Sequence, residues 1–171
     1  VDERKVLTVP GSGVDINYFS PQSCDNALLD NNNISFLLIA RMLWDKGIRE
    51  FVESAIIVKE KFPSAEFLLL GETDSGNPSG IPENIIRKWE SEGIVRRLGS
   101  TDDVRPFICR SNVVVLPSYR EGTPRSLLEA IAMKKPIITT NTVGCKEVCE
   151  DGVNGFLVPI KDSISLANSM V

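Results

Sequence analysis

The stretch NVVVLPSYREGTPRSLLEAIAMKKPIITT, residues 112–140, decides the fold of this chain. Its first five residues form a mostly apolar run that ends at a proline, as expected of a strand covered on both faces. A helical pattern follows over 123–134, with Thr123 as the predicted N-cap and Pro124 in the first helical position. A second apolar run occupies 137–140. The stretch therefore predicts a strand, a helix and a second, parallel strand.

Outward from this unit, apolar runs and helical patterns keep alternating over residues 34–171. Strands are also predicted at 34–40, 65–70, 94–98 and 156–158, and helices at 44–62, 82–91, 101–109, 144–150 and from 160 onward. This alternation predicts an α/β domain, with a doubly wound parallel sheet in a three-layer α/β/α arrangement. Residues 1–33 contain a short extended piece at 5–9 and a Gly- and Asn-rich stretch, which we interpret as an interdomain linker or lead-in.

The composition is that of a soluble globular domain. The 171 residues carry a net charge of −4, with 42% hydrophobic and 25% charged residues. Lysines and arginines are scattered, so a nucleic-acid partner is not expected, and no apolar run reaches the roughly 20 residues of a membrane span. The chain has no histidine, which excludes zinc sites built on histidine, Ser-His-Asp triads and Cys-His dyads within it.

The four cysteines include no C-x-x-C pair. Cys145 and Cys149 have helical spacing, which we attribute to chance because no further ligand pair accompanies them. Cys109 lies in an apolar stretch and is interpreted as a small buried hydrophobic residue. This pattern predicts a reducing compartment and no metal site.

In such sheets ligands bind at the carboxyl ends of the strands, near the point where the strand order reverses. The loops after residues 40, 70, 98, 116 and 140 are therefore the candidates. None of them carries the G-x-G-x-x-G dinucleotide fingerprint, and no Walker A sequence occurs in the chain. Nicotinamide enzymes and P-loop enzymes are therefore disfavoured.

The loop after the first strand carries two cations, Arg41 and Lys46, around a predicted helix start. A helix N-terminus favours an anion, and an Arg with a Lys suits a diphosphate. The residues alone leave a solvated charged loop as the alternative, and Asp45 could neutralise either cation.

The loop after the 112–116 strand carries Glu121, followed by Gly122, which would let a ligand approach the backbone. Glu129 lies in the following helix among apolar neighbours. A carboxylate in apolar surroundings needs a hydrogen-bond partner. An Arg or Lys partner, a solvent-facing stripe of the helix, and a hydroxyl-rich ligand such as a ribose all remain open.

The spacing Glu121-x7-Glu129, within PSYREGTPRSLLEAIA, resembles the E-x7-E signature of retaining GT-B glycosyltransferases of family 4. Further stretches agree in order, and the likeness covers nearly the whole chain: R-x4-K-G at 41–47, LLLGE at 68–72, VRRLGSTDDV at 95–104 and ITTNTVGCKEVCEDGVNGFLV at 138–158. The wording is similar to that of bacterial enzymes that build capsule, lipopolysaccharide or lipid-linked oligosaccharides.

The resemblance implies the Rossmann-like C-terminal domain of a larger enzyme, spanning 34–171 and truncated in its final helix. Such an enzyme transfers a sugar from a nucleotide-sugar, here expected to be a UDP-sugar, to a saccharide or lipid-linked acceptor with retention of configuration. The acceptor would bind mainly in the N-terminal domain, so the fragment alone is expected to be inactive. The resemblance further implies a cytoplasmic enzyme at the inner face of the membrane that needs no metal, and it leaves peripheral membrane association open.

The resemblance also assigns roles within the donor site. Arg41 and Lys46 would hold the diphosphate and stabilise its departure, Glu129 would bind the ribose, and Glu121 would bind the transferred sugar. Together with Glu121, the first two count as catalytic. The implied donor-binding residues are Arg41, Lys46, Gly99, Ser100, Glu121, Gly122, Thr123, Pro124, Ser126, Leu127 and Glu129, with Gly99 and Ser100 near the base and Ser126 and Leu127 on the phosphate and ribose side.

One departure from the family pattern concerns the helix that bears Glu129. Lys134 stands where the family usually has a glycine in a left-handed cap, at a cost of about 1 kcal/mol if that geometry is kept. Three other functions stay open: a nucleotide-sugar binding module without activity, a sugar-nucleotide epimerase of the same architecture, and a structural interaction domain. The epimerase is disfavoured because it would lack EGTPRSLLEA.

Overall fold

A computed structural model describes residue 11, residues 13–24 and residues 33–171 of the chain. Its elements are β1 (Ser35–Ile39), α1 (Ile48–Lys61), β2 (Glu66–Leu70), α2 (Glu83–Ser91), β3 (Arg96–Gly99), α3 (Arg105–Arg110), β4 (Val113–Leu116), α4 (Arg125–Ala132), β5 (Ile137–Thr140), β6 (Gly155–Val158) and α5 (Ser163–Asn168). The predicted extended piece at 5–9 lies outside the described residues. In the described part, no helix is long and apolar enough to cross a bilayer.

The six strands form one parallel sheet in the order β3-β2-β1-β4-β5-β6, which confirms the predicted fold class. The order reverses between β1 and β4, where Phe36 pairs with Val113 and Leu37 with Val114. Because these strands are parallel neighbours, the loops that follow them emerge side by side at the carboxyl edge of the sheet. This edge is the expected ligand-binding position of a doubly wound sheet.

Two hydrophobic clusters cover the two faces of the sheet. Along β1, Phe36 and Leu38 pack into one cluster with residues of α1, α2 and α5, while Leu37 packs into the other with residues of α3 and α4. This alternation follows from the two-residue period of a strand. Helices therefore lie on both faces, in three layers.

The described part of the lead-in packs against the second face. Phe19 is buried in the cluster beneath α3 and α4, and the Arg105 guanidinium lies 3.7 Å from the centroid of the Tyr18 ring. Cys24 forms a disulfide with Cys109. Cys109 is buried in the core as predicted. The sequence did not predict its disulfide, which forms because the lead-in brings a second sulfur to α3. The cysteine pattern consequently no longer supports a reducing compartment.

The predicted helix over 44–62 is interrupted. Residues Trp44–Lys46 form a 3₁₀ turn, Gly47 adopts a left-handed conformation with φ +72°, and α1 begins at Ile48. A Cβ at Gly47 would collide with the carbonyl oxygen of Pro117, so the close approach of the two loops requires glycine here.

The segment predicted as a helix over 144–150 forms successive turns instead, so that prediction is wrong. A Cβ at Gly144 would collide with the Gly122 carbonyl, and the neighbouring loop thus dictates the path of this segment. The Asn154 side chain accepts the Glu150 N–H and donates to a carbonyl within the segment, which replaces helical bonds. Local helical spacing cannot reveal such contacts.

The start of α4 differs from the sequence prediction, whereas its end keeps the left-handed position expected at Lys134. The helix begins at Arg125, with Pro124 as its N-cap and no side-chain cap, whereas the sequence predicted Thr123 in that role. At the other end Lys134 has φ +58°, so the left-handed cap position is retained with a lysine in it.

Candidate functional site

The loops after β1 and β4 meet in an ion pair. Lys46 Nζ donates to Glu121 Oε1 across 2.6 Å, and the two side chains are only 19% and 15% exposed. Partial burial makes such a pair stronger than one on the open surface. A cation and a carboxylate from opposite sides of the strand-order reversal therefore share one position at the carboxyl edge of the sheet.

Backbone contacts fix these two loops against each other. The carbonyl oxygen of Asp45 accepts the Tyr119 N–H at 2.9 Å and the Ser118 hydroxyl at 3.1 Å. Both donors lie within three residues of Glu121, and Asp45 directly precedes Lys46. The ion pair is thus held by the main chain as well as by its own charges.

A buried side-chain contact strengthens the same junction. The Tyr119 hydroxyl donates to Glu50 Oε1 at 2.7 Å, and Glu50 is only 5% exposed within α1. Burial, followed by the neighbouring Glu50 carboxylate, raises the pKa of the Tyr119 hydroxyl. Sequence reasoning missed this contact, because nothing in the spacing indicates that residues 69 positions apart would face each other.

Arg41 lies at the start of the same loop after β1 but takes a different partner. Its Nη1 is 3.1 Å from Asp74 Oδ2, in the loop after β2, and its side chain is 61% exposed. Asp45 pairs with neither cation, and its Oδ1 is buried without a hydrogen-bond partner in the described residues. The idea that Asp45 neutralises Arg41 or Lys46 is therefore wrong.

Glu129 is nearly buried on α4. It is 8% exposed, and Arg125, one helical turn earlier, places Nη2 3.5 Å from its Oε1. Burial raises the pKa of the Glu129 carboxyl, and the Arg125 charge opposes that rise. Of the environments left open by the sequence, the solvent-facing stripe is excluded, while a ligand partner for Glu129 remains a prediction.

The remaining predicted donor residues after β4 differ in accessibility. Gly122 is exposed with open space beside it, Thr123 and Ser126 are partly buried, and Pro124 is buried. Leu127 is fully buried in the core cluster, so its side chain cannot line a phosphate or ribose pocket.

Gly99 and Ser100, predicted near the base, lie at the end of β3. Gly99 has φ +77° with open space beside it, and Ser100 is exposed. They share the carboxyl edge with the loops after β1 and β4, but β3 is separated from β1 by β2. The structure therefore joins Lys46 and Glu121 directly and places Gly99 and Ser100 further along the same edge.

A cavity of about 540 Å³ opens beside Glu121 at the carboxyl end of β5. A second cavity, of about 430 Å³, lies at the opposite edge among the first residues of β2 and the segment leading into β3. That second cavity includes none of the predicted site residues. Within the part of the chain that the structure describes, no group of three acidic, Cys or His residues is placed to hold a metal ion.

Comparison with known proteins agrees with this architecture. A family model described as Glycosyl transferases group 1 matches residues 33–171. The N,N'-diacetylbacillosaminyl-diphospho-undecaprenol alpha-1,3-N-acetylgalactosaminyltransferase of Campylobacter jejuni is 32% identical over 176 residues, covering 98% of this chain and 45% of that protein. The UDP-Gal:alpha-D-GlcNAc-diphosphoundecaprenol alpha-1,3-galactosyltransferase of Escherichia coli is 28% identical over 179 residues, covering 100% of this chain and 46% of that protein.

A solved structure gives the same correspondence. The C-terminal domain of a glycosyl transferase group 1 family protein, LpcC, from Francisella tularensis is 25% identical with a TM-score of 0.77, over 92% of this chain and 86% of that chain. This chain spans less than half the length of the two relatives above. Because the family model covers most of the sequence, the chain belongs to the glycosyl transferases group 1 family.

Proposed function

We propose that this chain is the donor-binding half of a retaining glycosyltransferase that uses a UDP-sugar and a lipid-linked acceptor. The ion pair between Lys46 and Glu121 carries the proposal, because it sets a cation and a carboxylate beside each other where a doubly wound sheet binds its ligand. A nucleotide-sugar presents the matching chemistry, with an anionic diphosphate next to a hydroxyl-rich ring.

In this assignment Lys46 and Arg41 bind the diphosphate. Charge builds on the diphosphate as the glycosidic bond breaks, and preorganised cations stabilise such developing charge. The exposed Arg41 reaches the donor by exchanging its contact with Asp74 for one with phosphate. These two cations would supply the positive charge, and no metal ion is required in the proposal.

The two carboxylates bind hydroxyl groups. Glu129 accepts hydrogen bonds from the ribose hydroxyls. A carboxylate as buried as this one needs hydrogen-bond donors, and the ribose would supply them. Glu121, with the open backbone at Gly122, binds hydroxyls of the transferred sugar. In this proposal Glu121 acts as a sugar ligand and not as a nucleophile, because the transfer passes through an oxocarbenium-like state without a covalent sugar-enzyme intermediate.

The transfer step retains the configuration at the anomeric carbon of the sugar. The bond from the anomeric carbon to the diphosphate oxygen breaks, and a bond to the acceptor hydroxyl oxygen forms on the same face through an oxocarbenium-like state. The hydroxyl proton leaves with the departing diphosphate. We propose a sugar-diphospho-polyprenol acceptor, as named for the two relatives, with the reaction at the cytoplasmic face of the membrane.

The experiment is calorimetric titration of this chain with UDP, GDP, ADP and CMP. We expect preferential UDP binding, lost in Lys46→Ala and kept in Lys61→Ala, which removes an exposed lysine at the far end of α1. A UDP affinity that is unchanged in Lys46→Ala would contradict the assigned site. If no nucleotide binds, repeating the titration on the full-length protein separates a pocket that needs its second half from a domain without a donor site.

A further inference from the structure

The cavity beside Glu121 joins the loop after β4 to the loop after β5. Its volume of about 540 Å³ lies within the range of small-molecule sites. The polar and charged residues that line it, together with one aromatic residue, are Tyr119, Arg120, Glu121, Asn141, Thr142 and Lys146. None of the residues from the β5 side takes part in the donor assignment made above.

The charge balance of this cavity is positive. Arg120 and Lys146 are exposed, and neither forms an ion pair with any residue in the described ranges. The single carboxylate on the lining, Glu121, is already paired with Lys46. Glu147 follows Lys146 in sequence but does not line the cavity.

The β5 loop is held at a fixed position relative to Glu121. The Thr140 hydroxyl donates to the Ser118 carbonyl at 2.5 Å. Gly144 packs so closely on the Gly122 carbonyl that a Cβ there would collide with it. The cations are therefore carried by loops anchored directly beside the residue that binds the transferred sugar in the proposed function.

We infer that this cavity binds the diphosphate of the acceptor, an inference that rests on the proposed function. In a sugar-diphospho-polyprenol, the diphosphate is attached to the anomeric carbon of the same ring that bears the attacking hydroxyl. When that hydroxyl reaches the donor sugar at Glu121, the diphosphate lies one sugar ring away. Arg120 supplies a planar fork for two phosphate oxygens, and Lys146 supplies a mobile point charge.

Direct binding to the full-length protein that carries this chain tests the inference. The protein is first saturated with UDP, so that a diphosphate probe cannot occupy the site at Lys46, and is then titrated with geranyl diphosphate. Replacing both Arg120 and Lys146 by alanine should weaken geranyl diphosphate binding at least about tenfold, the loss expected for a charge-assisted hydrogen bond. Lys61→Ala, which removes a lysine far from the cavity, should leave the affinity unchanged.

The outcomes separate this inference from the proposed function. Equal geranyl diphosphate affinity in the double variant and the unmodified protein, or no binding by the unmodified protein while UDP still binds, overturns the inference alone. Failure of the unmodified full-length protein to bind UDP overturns the proposed function as well.

A further titration compares the affinities of the unmodified protein for geranyl diphosphate and for inorganic pyrophosphate. Tighter binding of the prenyl compound supports an acceptor site, whereas tighter binding of inorganic pyrophosphate would assign the cavity to the free anion and overturn the inference. UDP affinity, measured in every variant, shows that each protein is folded.

Discussion

Lys46 and Glu121 lie 75 residues apart in sequence, yet their side chains meet at 2.6 Å between the loops after β1 and β4. In the proposed function they hold different parts of one donor molecule, the diphosphate and the sugar. Without donor they neutralise each other. The diphosphate must therefore compete with Glu121 for Lys46. The hydroxyl groups of the sugar must in turn replace the hydrogen bond that Glu121 loses when Lys46 binds the diphosphate.

This competition predicts opposite effects of Glu121→Gln on two ligands. Without the carboxylate, Lys46 is free for the diphosphate, so UDP itself should bind several-fold more tightly, since a partly exposed ion pair contributes up to about 1 kcal/mol. In the variant, the UDP-sugar should no longer bind more tightly than UDP, because the carboxylate that binds its sugar is missing. Calorimetry with both ligands on one protein preparation measures this difference, and parallel changes for the two would contradict the division of roles.

Glu129→Gln should stabilise the fold while weakening nucleotide binding. Burial raises the pKa of the Glu129 carboxyl in the folded state, so its ionised form is disfavoured there relative to the unfolded chain. That unfavourable contribution is fully present above the folded-state pKa and disappears below the ordinary value of 4.5. The glutamine variant should therefore melt higher at pH 7, with a gain that fades as the pH falls from the folded-state pKa to 4.5.

Thermal denaturation at several pH values measures the stability difference, and UDP titration measures the binding. Arg125→Ala is the matched control, because it removes the partner that favours ionised Glu129 and should lower stability at pH 7. A glutamine variant that binds UDP normally would remove Glu129 from the proposed site. A variant that gains no stability would contradict the pKa direction.

Tyr119→Phe should loosen the junction that carries Glu121. The substitution leaves the buried Glu50 carboxylate without its hydroxyl partner, and its Oε2 already lacks a hydrogen bond in the described residues. Leaving a buried acceptor unpaired costs about 1–3 kcal/mol of stability. The measurement is chemical denaturation of Tyr119→Phe, of Glu50→Ala and of the double variant, because alanine has no acceptor for the Tyr119 hydroxyl.

The double variant decides whether this contact is direct. If Tyr119 and Glu50 act as a pair, the two single losses should not add, because the second substitution removes a partner that is already gone. Additive losses would mean that each residue contributes through other contacts. In the full-length enzyme, we expect Tyr119→Phe to lower kcat more than it raises the donor KM, since it displaces Glu121 without removing a donor contact.

The sequence predicted what depends on local pattern. The strands β1, β4 and β5 are buried on both faces, which gives continuous apolar runs, and α4 is buried on one face, which gives a helical period. Both patterns can be identified within a single segment of the sequence. Glu129 was also recognisable as a carboxylate among apolar neighbours. The carboxyl-edge position of the site followed from the parallel topology that these elements imply.

Apart from the N-cap of α4, the features that the sequence did not predict depend on contacts with a second segment. Residues 144–150 have helical spacing but follow the neighbouring loop. The disulfide of the buried Cys109 depends on Cys24, which lies in the lead-in. The contact of Glu50 with Tyr119 likewise joins a helix and a loop that are distant in sequence. Spacing within one segment carries no record of such partners.

Lys134→Gly should stabilise the domain without touching the site. Lys134 has φ +58°, where a Cβ is strained and glycine is not, so the substitution should add about 1 kcal/mol to the free energy of unfolding. Lys88→Gly is the opposing control: Lys88 is an exposed lysine inside α2, where glycine costs about 1 kcal/mol. Chemical denaturation of both variants should show shifts of opposite sign. A loss of stability in Lys134→Gly would mean that contacts of the lysine side chain outweigh the backbone strain.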